Sequence, residues 1–249
     1  MCFLGRPERR WRRIAALCHN KQGSLMHEYF PLPELAKTLL PQAFDARDGA
    51  HDEGHLLRVW RNVEAIRGAE GGDRRLLLAA TLLHDCVWVD KRSPERSSAS
   101  RLAAGKASEV LTGLGWTIDE VGRVAHAIEA HSFSAGIAPR SLEARILQDA
   151  DRLDAMGFIG VARCMYLAGA HGASIHHPTD PAGVDRPLED QLYALDHFRT
   201  KLLGLGEKMQ TAKGREMAAE RIGRLKAFYR GLLEEVGERT VAPGTLSIR

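Results

Sequence analysis

The run Leu76-Leu77-Leu78-Ala79-Ala80-Thr81-Leu82-Leu83 reads as a helix without a polar face, and His84 and Asp85 follow at its end. A helix that is apolar all round belongs in an interior, so the rest of the fold must wrap around it. A buried imidazole and carboxylate in turn need a partner, and a divalent metal ion is the simplest one. The dipeptide alone is weak evidence. With 11 histidines in the chain, an adjacent His-Asp is expected by chance about once, and His51-Asp52 is a second instance.

From about residue 30 onward the patterning is helical. Leu57, Trp60 and Val63, with Val59 and Ile66, keep helical spacing, as do Leu102, Ala107, Val110, Leu111 and Leu114 up to a stop at Gly113-Leu114-Gly115. Thr117 with Glu120 forms a capping box, and the helix it opens carries Ile118, Val121, Val124 and Ile128 on one side. Residues 141–169 read as the longest helical stretch, with Gly157 and Gly160 placed where backbones pack closely. His171 to Leu188 reads as an irregular loop, and two amphipathic helices at about 189–211 and 214–236 finish the fold. Sustained strand alternation is missing, so one all-α domain is expected. Residues 1–25 read as a basic, loosely ordered extension, with an organelle-targeting or anionic-surface role as the lesser reading, and residues 237–249 as a tail.

At 249 residues and 44% hydrophobic content the chain can build a sizeable core. A net charge of +3 allows small anionic ligands but is too weak to argue for specific nucleic-acid binding. Cys2, Cys18, Cys86 and Cys164 are far apart and form no CxxC pair, so neither a zinc ribbon nor a disulfide framework is suggested, and a reducing cytoplasm fits best. No run approaches the ~18 apolar residues of a membrane span. A homodimer is compatible with all of this.

Partners for His84-Asp85 occur at His55, which precedes Arg58 by one helical turn, and within Gln148-Asp149-Ala150-Asp151-Arg152-Leu153-Asp154. Such a mixed nitrogen and oxygen set suits Mn²⁺, and Mg²⁺, Fe²⁺, Co²⁺ and Zn²⁺ also fit it. Asp149 and Asp151 lie about 200° apart around a helix, so one of the two faces the site and geometry leaves open which. Asp151 and Asp154 share a face, making Asp154 a candidate to support a ligand from behind, to orient a water or to take its proton. Val121, Val124, Ile128 and His131 continue one stripe, which sets His131 toward the interior and His126 off the line.

These residues resemble the H…HD…D signature of the HD-domain superfamily of metal-dependent phosphohydrolases. The motifs His51-Asp52-x-x-His55-x-x-Arg58-Val59-Trp60, Leu82-Leu83-His84-Asp85, His131-Ser132-Phe133-Ser134-Ala135-Gly136 and Gln148 to Gly157 resemble a bacterial subgroup that hydrolyses nucleoside triphosphates; the likeness spans roughly residues 26–236. The resemblance implies a single-domain HD-type helical bundle and one divalent ion held by His55, His84, Asp85 and Asp151, with Asp151 preferred to Asp149 as ligand. His131 is then expected beside the substrate or supporting a ligand, with neither it nor His126 holding a second metal. Asp85 or Asp154 would accept a proton from water, and Arg58, Lys91 and Lys201 would lead Arg92, Arg96 and Arg101 as phosphate contacts. Trp88 is expected in the core rather than stacked on a base, Cys86 as a small buried hydrophobe, and His171, His176 and His177 in solvent. The implied reaction takes a nucleoside or deoxynucleoside triphosphate to monophosphate and pyrophosphate. A monophosphatase or cyclic-nucleotide phosphodiesterase on the same site, and a non-catalytic nucleotide-binding regulator, are the competing classes.

Overall fold

The computed structural model describes residues 26–43, 52–89, 93–132 and 134–237, and Lys91, Arg92, the two terminal segments to residue 25 and from residue 238, and His51 lie outside them. Among the described residues the regular structure is helical: α1 (Pro33–Ala43), α2 (Glu53–Glu70), α3 (Arg74–Leu83), α4 (Ala99–Gly113), α5 (Ile118–His131), α6 (Leu142–Asp154), α7 (Gly157–Ala170), α8 (Ala194–Thr200) and α9 (Ala212–Glu235). Short 3-10 turns occupy Met26–Tyr29, Pro94–Ser98 and Leu202–Lys208. One isolated parallel bridge, Ser174 with Tyr193, is the β-type pairing among the described residues.

The apolar run is the centre of the molecule. Every residue from Leu76 to Leu83 is buried, because α1, α2, α4, α5 and α6 all pack on α3. Its start is fixed by Asp73, whose carboxylate accepts from the Arg75 and Leu76 amides. The other helix starts are equally explicit: Asp52 caps α2 through the His55 amide, Thr117 and Glu120 close a reciprocal capping box on α5, and Ser141 caps α6. Each cap satisfies amides that would otherwise lack acceptors. Asp52 is thereby the helix cap of α2.

Several expected faces differ. Ala107 and Leu111 on α4 and Val124, Ile128 and His131 on α5 are buried as expected, but Leu102 (49% exposed), Leu114 (44%) and Ile118 (93%) stand in solvent, and Ala103, Ala104 and Ala127 complete the buried stripes. Small residues line these stripes because α4 and α5 pack closely, and helical spacing alone does not say which of two adjacent apolar rows meets the neighbour. Trp88 is likewise not a core residue, at 37% exposed.

The long stretch from residue 141 is two helices. They meet at a 69° bend, with Met156 extended and Gly157 at φ +65°, a conformation that favours glycine. A Cβ on Gly160 would fall 2.2 Å from the Ala155 carbonyl oxygen, so the bend also depends on the bare backbone there. Gly160→Ala is expected to cost about 1–3 kcal/mol, seen as a lower urea midpoint at unchanged slope.

The helix expected over 189–211 is shorter, because the chain leaves α8 after Thr200 and tightens into the 3-10 turn Leu202–Lys208 before α9. The loop preceding it is irregular but well tied: Asp196, 1% exposed, accepts from both Arg186 terminal nitrogens at 2.6 and 2.7 Å and from the Glu189 amide at 2.6 Å. Arg199 donates to the Ala182 and Gly183 carbonyls. No single helix among the described residues is long and apolar enough to cross a membrane.

Candidate metal centre

Four helix ends deliver one cluster. His55 lies in the first turn of α2, His84 and Asp85 directly follow α3, His131 ends α5, and Asp151 is in the last turn of α6. The three imidazoles are buried, at 0% for His55, 1% for His84 and 6% for His131, while the Asp85 and Asp151 side chains keep 27% and 26% of their surface. His55 Nε2 is 3.2 Å from His84 Nε2, 3.8 Å from Asp85 Oδ2 and 3.7 Å from Asp151 Oδ1. His84 Nε2 is 3.4 Å from Asp85 Oδ2 and 3.9 Å from Asp151 Oδ1, and His131 Nε2 is 3.6 Å from Asp85 Oδ1. Two trios, His55/His84/Asp151 and His84/Asp85/His131, each gather their ligand atoms within 4.8 Å and share His84.

The far side of each ring decides what the near side offers. His84 Nδ1 lies 2.7 Å from the Thr81 carbonyl and His131 Nδ1 lies 2.6 Å from the Ile128 carbonyl. A carbonyl oxygen only accepts, so both Nδ1 atoms carry the proton. His55 Nδ1 sits 2.8 Å from Asp154 Oδ2 and donates in the same way. The Nε2 atoms of His55 and His84 therefore face each other, beside two carboxylates. Two imidazole nitrogens converging with two carboxylates form a mixed donor set that fits a divalent metal.

The electrostatics agree. Burial pushes the His84 imidazole down to about 4, which keeps it neutral and able to ligate near pH 7. Burial acts the same way on His131, but its contact with Asp85 prevails and raises it. Burial would raise the Asp151 carboxyl, and the surrounding His84, His55 and His131 lower it instead. Asp154, also against the effect of burial, is held well below the usual carboxylate range by His55 and Arg58.

Of the roles open to Asp154, its surroundings suit support of a ligand better than proton acceptance. It is 1% exposed; Oδ1 receives Arg58 Nε at 2.6 Å, and Oδ2 receives His55 Nδ1, Arg58 at 3.1 Å and Arg163 at 2.5 Å. A strongly acidic, fully hydrogen-bonded carboxylate is a poor general base, and the geometry makes it the group that orients His55. Arg58 correspondingly spends part of its guanidinium on Asp154 rather than facing a substrate with all of it.

Asp149 is turned the opposite way from Asp151. Its carboxylate accepts from the Gln210 amide at 2.8 Å and from the Thr211 amide and hydroxyl at 2.8 and 2.7 Å, so it anchors the start of α9. His126 accepts from the Arg140 amide at 2.9 Å and stays outside both trios. Lys201 is half-buried at the junction of α8 and the following 3-10 turn, Arg101 is exposed, and Lys91, Arg92 and the Arg96 side chain lie outside the described residues. Cys86 is buried as expected, and burial pushes its thiol up to about 11. His171 is exposed, but His176 and His177 are half-buried, and His177 Nδ1 accepts from the Asp180 amide at 3.2 Å.

Sequence reasoning passed over three supporting residues. Arg163, on α7, reaches Asp154; Arg221, on α9, donates to the Leu153 carbonyl at 2.7 Å and to Asn62 Oδ1 at 2.8 Å; Asn62 donates to the Ala150 carbonyl at 2.9 Å. Together they brace the end of α6, where Asp151 and Asp154 sit. A signal was present for Arg163, since a charge inside the apolar stretch Gly157–Ala170 asks for an anion.

The model of the HD domain family matches residues 53–156, from the start of α2 through the bend after α6, and so includes every residue of both trios. The uncharacterized protein YpgQ of Bacillus subtilis (strain 168) is 30% identical over 207 residues, which are 82% of this chain and 93% of YpgQ. The chain belongs to the HD domain family. Solved relatives of this HD protein share its fold: B. subtilis YpgQ in complex with ADP superposes with a TM-score of 0.62 at 29% identity, covering 82% of this chain and 94% of that one. An HD-superfamily hydrolase from Bacillus thuringiensis superposes with a TM-score of 0.61 at 30% identity, covering 83% and 98%. As an HD protein with its donor set in place, the chain is an enzyme of the metal-dependent phosphohydrolase class.

Proposed function

We propose that this HD enzyme hydrolyses nucleoside or deoxynucleoside triphosphates to the monophosphate and pyrophosphate, with Mn²⁺ or Mg²⁺ held by His55, His84, Asp85 and Asp151. The observation that carries the reading is the convergence of two imidazole Nε2 atoms, 3.2 Å apart, with two carboxylates on a site that is open on the carboxylate side. The similarity to YpgQ, whose structure holds ADP, supports a nucleotide as the substrate class. When bound, a divalent ion neutralises phosphate charge and activates water for attack on phosphorus.

The chain's own residues supply the rest. Asp85 turns Oδ2 toward the histidine pair and Oδ1 toward His131, so a second oxygen is placed to take a proton from the attacking water. His131, with its Nδ1–H on the Ile128 carbonyl, presents Nε2 beside that oxygen, where it can relay the proton or touch a phosphate oxygen. Lys91, Lys201 and the part of Arg58 that Asp154 leaves free carry the remaining phosphate charge.

The test is product analysis on a panel of nucleoside triphosphates, monophosphates and cyclic nucleotides with Mn²⁺ or Mg²⁺. Pyrophosphate and monophosphate in equal amounts are expected. Orthophosphate from monophosphates, or opening of a cyclic phosphate, would move the enzyme to the monophosphatase or phosphodiesterase class, and binding without turnover would make it a regulator. Removal of metal by a chelator is expected to abolish turnover and its re-addition to restore it.

A further inference from the structure

Asp154 is a single buried carboxylate with two arginines on it. Arg58 binds it side-on from α2, one turn beyond His55, and Arg163 reaches it from α7, across the 69° bend that folds α7 back over the end of α6. One guanidinium would balance the charge, so the second needs a reason. Arg163 is only 16% exposed at its side chain, which keeps it from being a solvated surface charge. Its nitrogen lies 2.5 Å from Asp154 Oδ2, the same oxygen that takes the His55 Nδ1 proton, and 3.3 Å from His55 Nδ1 itself. Since His55 Nδ1 and the guanidinium are both donors, the contact that counts is the one each makes to Oδ2.

Arg58 spans both oxygens, but its bond to Oδ2 is the longer one at 3.1 Å; Arg163 adds the short donor on Oδ2, the oxygen that takes the His55 proton, and so fixes that oxygen in place. His55 then has one favourable tautomer and one ring orientation, the one that leaves Nε2 as a bare acceptor aimed at His84. We infer that Arg163 is a positioning residue of the metal centre: by locking Asp154 it fixes the tautomer and direction of His55. The inference rests on the metal-centre reading proposed above and concerns how that centre is built. Partners of metal-binding histidines typically change metal affinity 10- to 100-fold, about the range expected here.

The experiment compares the full-length wild type with Arg163→Gln, Arg163→Lys and Asp154→Asn. Mn²⁺ is titrated into each nucleotide-free protein by calorimetry, and the His55 tautomer is read in the metal-free proteins by long-range ¹H–¹⁵N correlation. Arg163→Gln is expected to weaken Mn²⁺ binding about 10-fold or more, to mix the two His55 tautomers, and to leave KM for the nucleotide unchanged at saturating Mn²⁺. Arg163→Lys, which keeps the charge and one hydrogen bond, is expected to recover part of the affinity. Wild-type Mn²⁺ affinity and a single Nδ1–H tautomer in Arg163→Gln would overturn the inference, as would a raised KM with unchanged affinity, which would make Arg163 a substrate contact. If Arg163→Gln does not fold, the order wild type, Arg163→Lys, Asp154→Asn in falling Mn²⁺ affinity carries the same expectation, and equal affinities overturn it. A wild type that takes up no Mn²⁺ would overturn the metal centre itself and the role of Arg163 with it.

Discussion

Alanine at His84 is expected to remove divalent-metal binding and to lower hydrolysis by more than about 10³-fold. His84 is the residue common to both ligand trios, so its loss dismantles each of them. Lewis-acid stabilisation is worth several kcal/mol, and each ~1.4 kcal/mol is a factor of ten in rate. The fold should persist, because His84 lies past the end of α3 and its Nδ1–H bond is local, to the Thr81 carbonyl one turn back. Circular dichroism at wild-type helicity, together with calorimetry showing no Mn²⁺ uptake, would tie the lost activity to the site. Retention of a tenth of the wild-type rate would remove His84 from the centre.

The second large effect separates two aspartates two residues apart. Asp149→Ala is expected to destabilise the protein by about 3–4 kcal/mol and leave metal affinity within about twofold, whereas Asp151→Ala is expected to lose metal binding at little cost in stability. Asp149 is fully buried and accepts from three donors at the start of α9, all of which would be stranded. At about 2–4 °C per kcal/mol for a chain of this size, the melting temperature should fall by about 10 °C. Asp151 keeps about a quarter of its surface and takes no bond from a backbone amide among the described residues, so its removal strands no amide. The opposite pattern, metal loss at Asp149 and unfolding at Asp151, would reverse the assignment of the two faces.

The legible parts of the site were those whose chemistry is local. A helix with no polar side must be central, and Leu76–Leu83 is. The capping box at Thr117 and Glu120 needs only four residues in a row to be recognised, and it forms. His131 was reachable because it continues a stripe that faces inward. By contrast, Leu102 and Ile118 are apolar yet exposed, since periodicity marks a face without showing whether a neighbour covers it. The 141–169 stretch kept its helical composition through a bend that depends on Gly157 at positive φ and on the lack of a Cβ at Gly160. Arg163 was passed over for the same reason: its partner lies across that bend.

What the sequence by itself determined was the all-helical class and the central apolar helix ending in His84 and Asp85, because these depend on composition and spacing within one or two helical turns; the choice of the remaining candidate ligands came from the family resemblance. Only the tertiary structure decided which way each ligand atom points. Asp149 and Asp151 have the same side chain, and Asp154 could serve as a base or as an orienting group; packing chose by giving Asp149 the amides of α9, and Asp154 the two guanidinium groups and the Nδ1 proton of His55. A hydrogen-bond acceptor goes where donors are delivered, and here they come from residues 61 to 99 positions away in the chain and, for Arg163, from nine positions on across the bend.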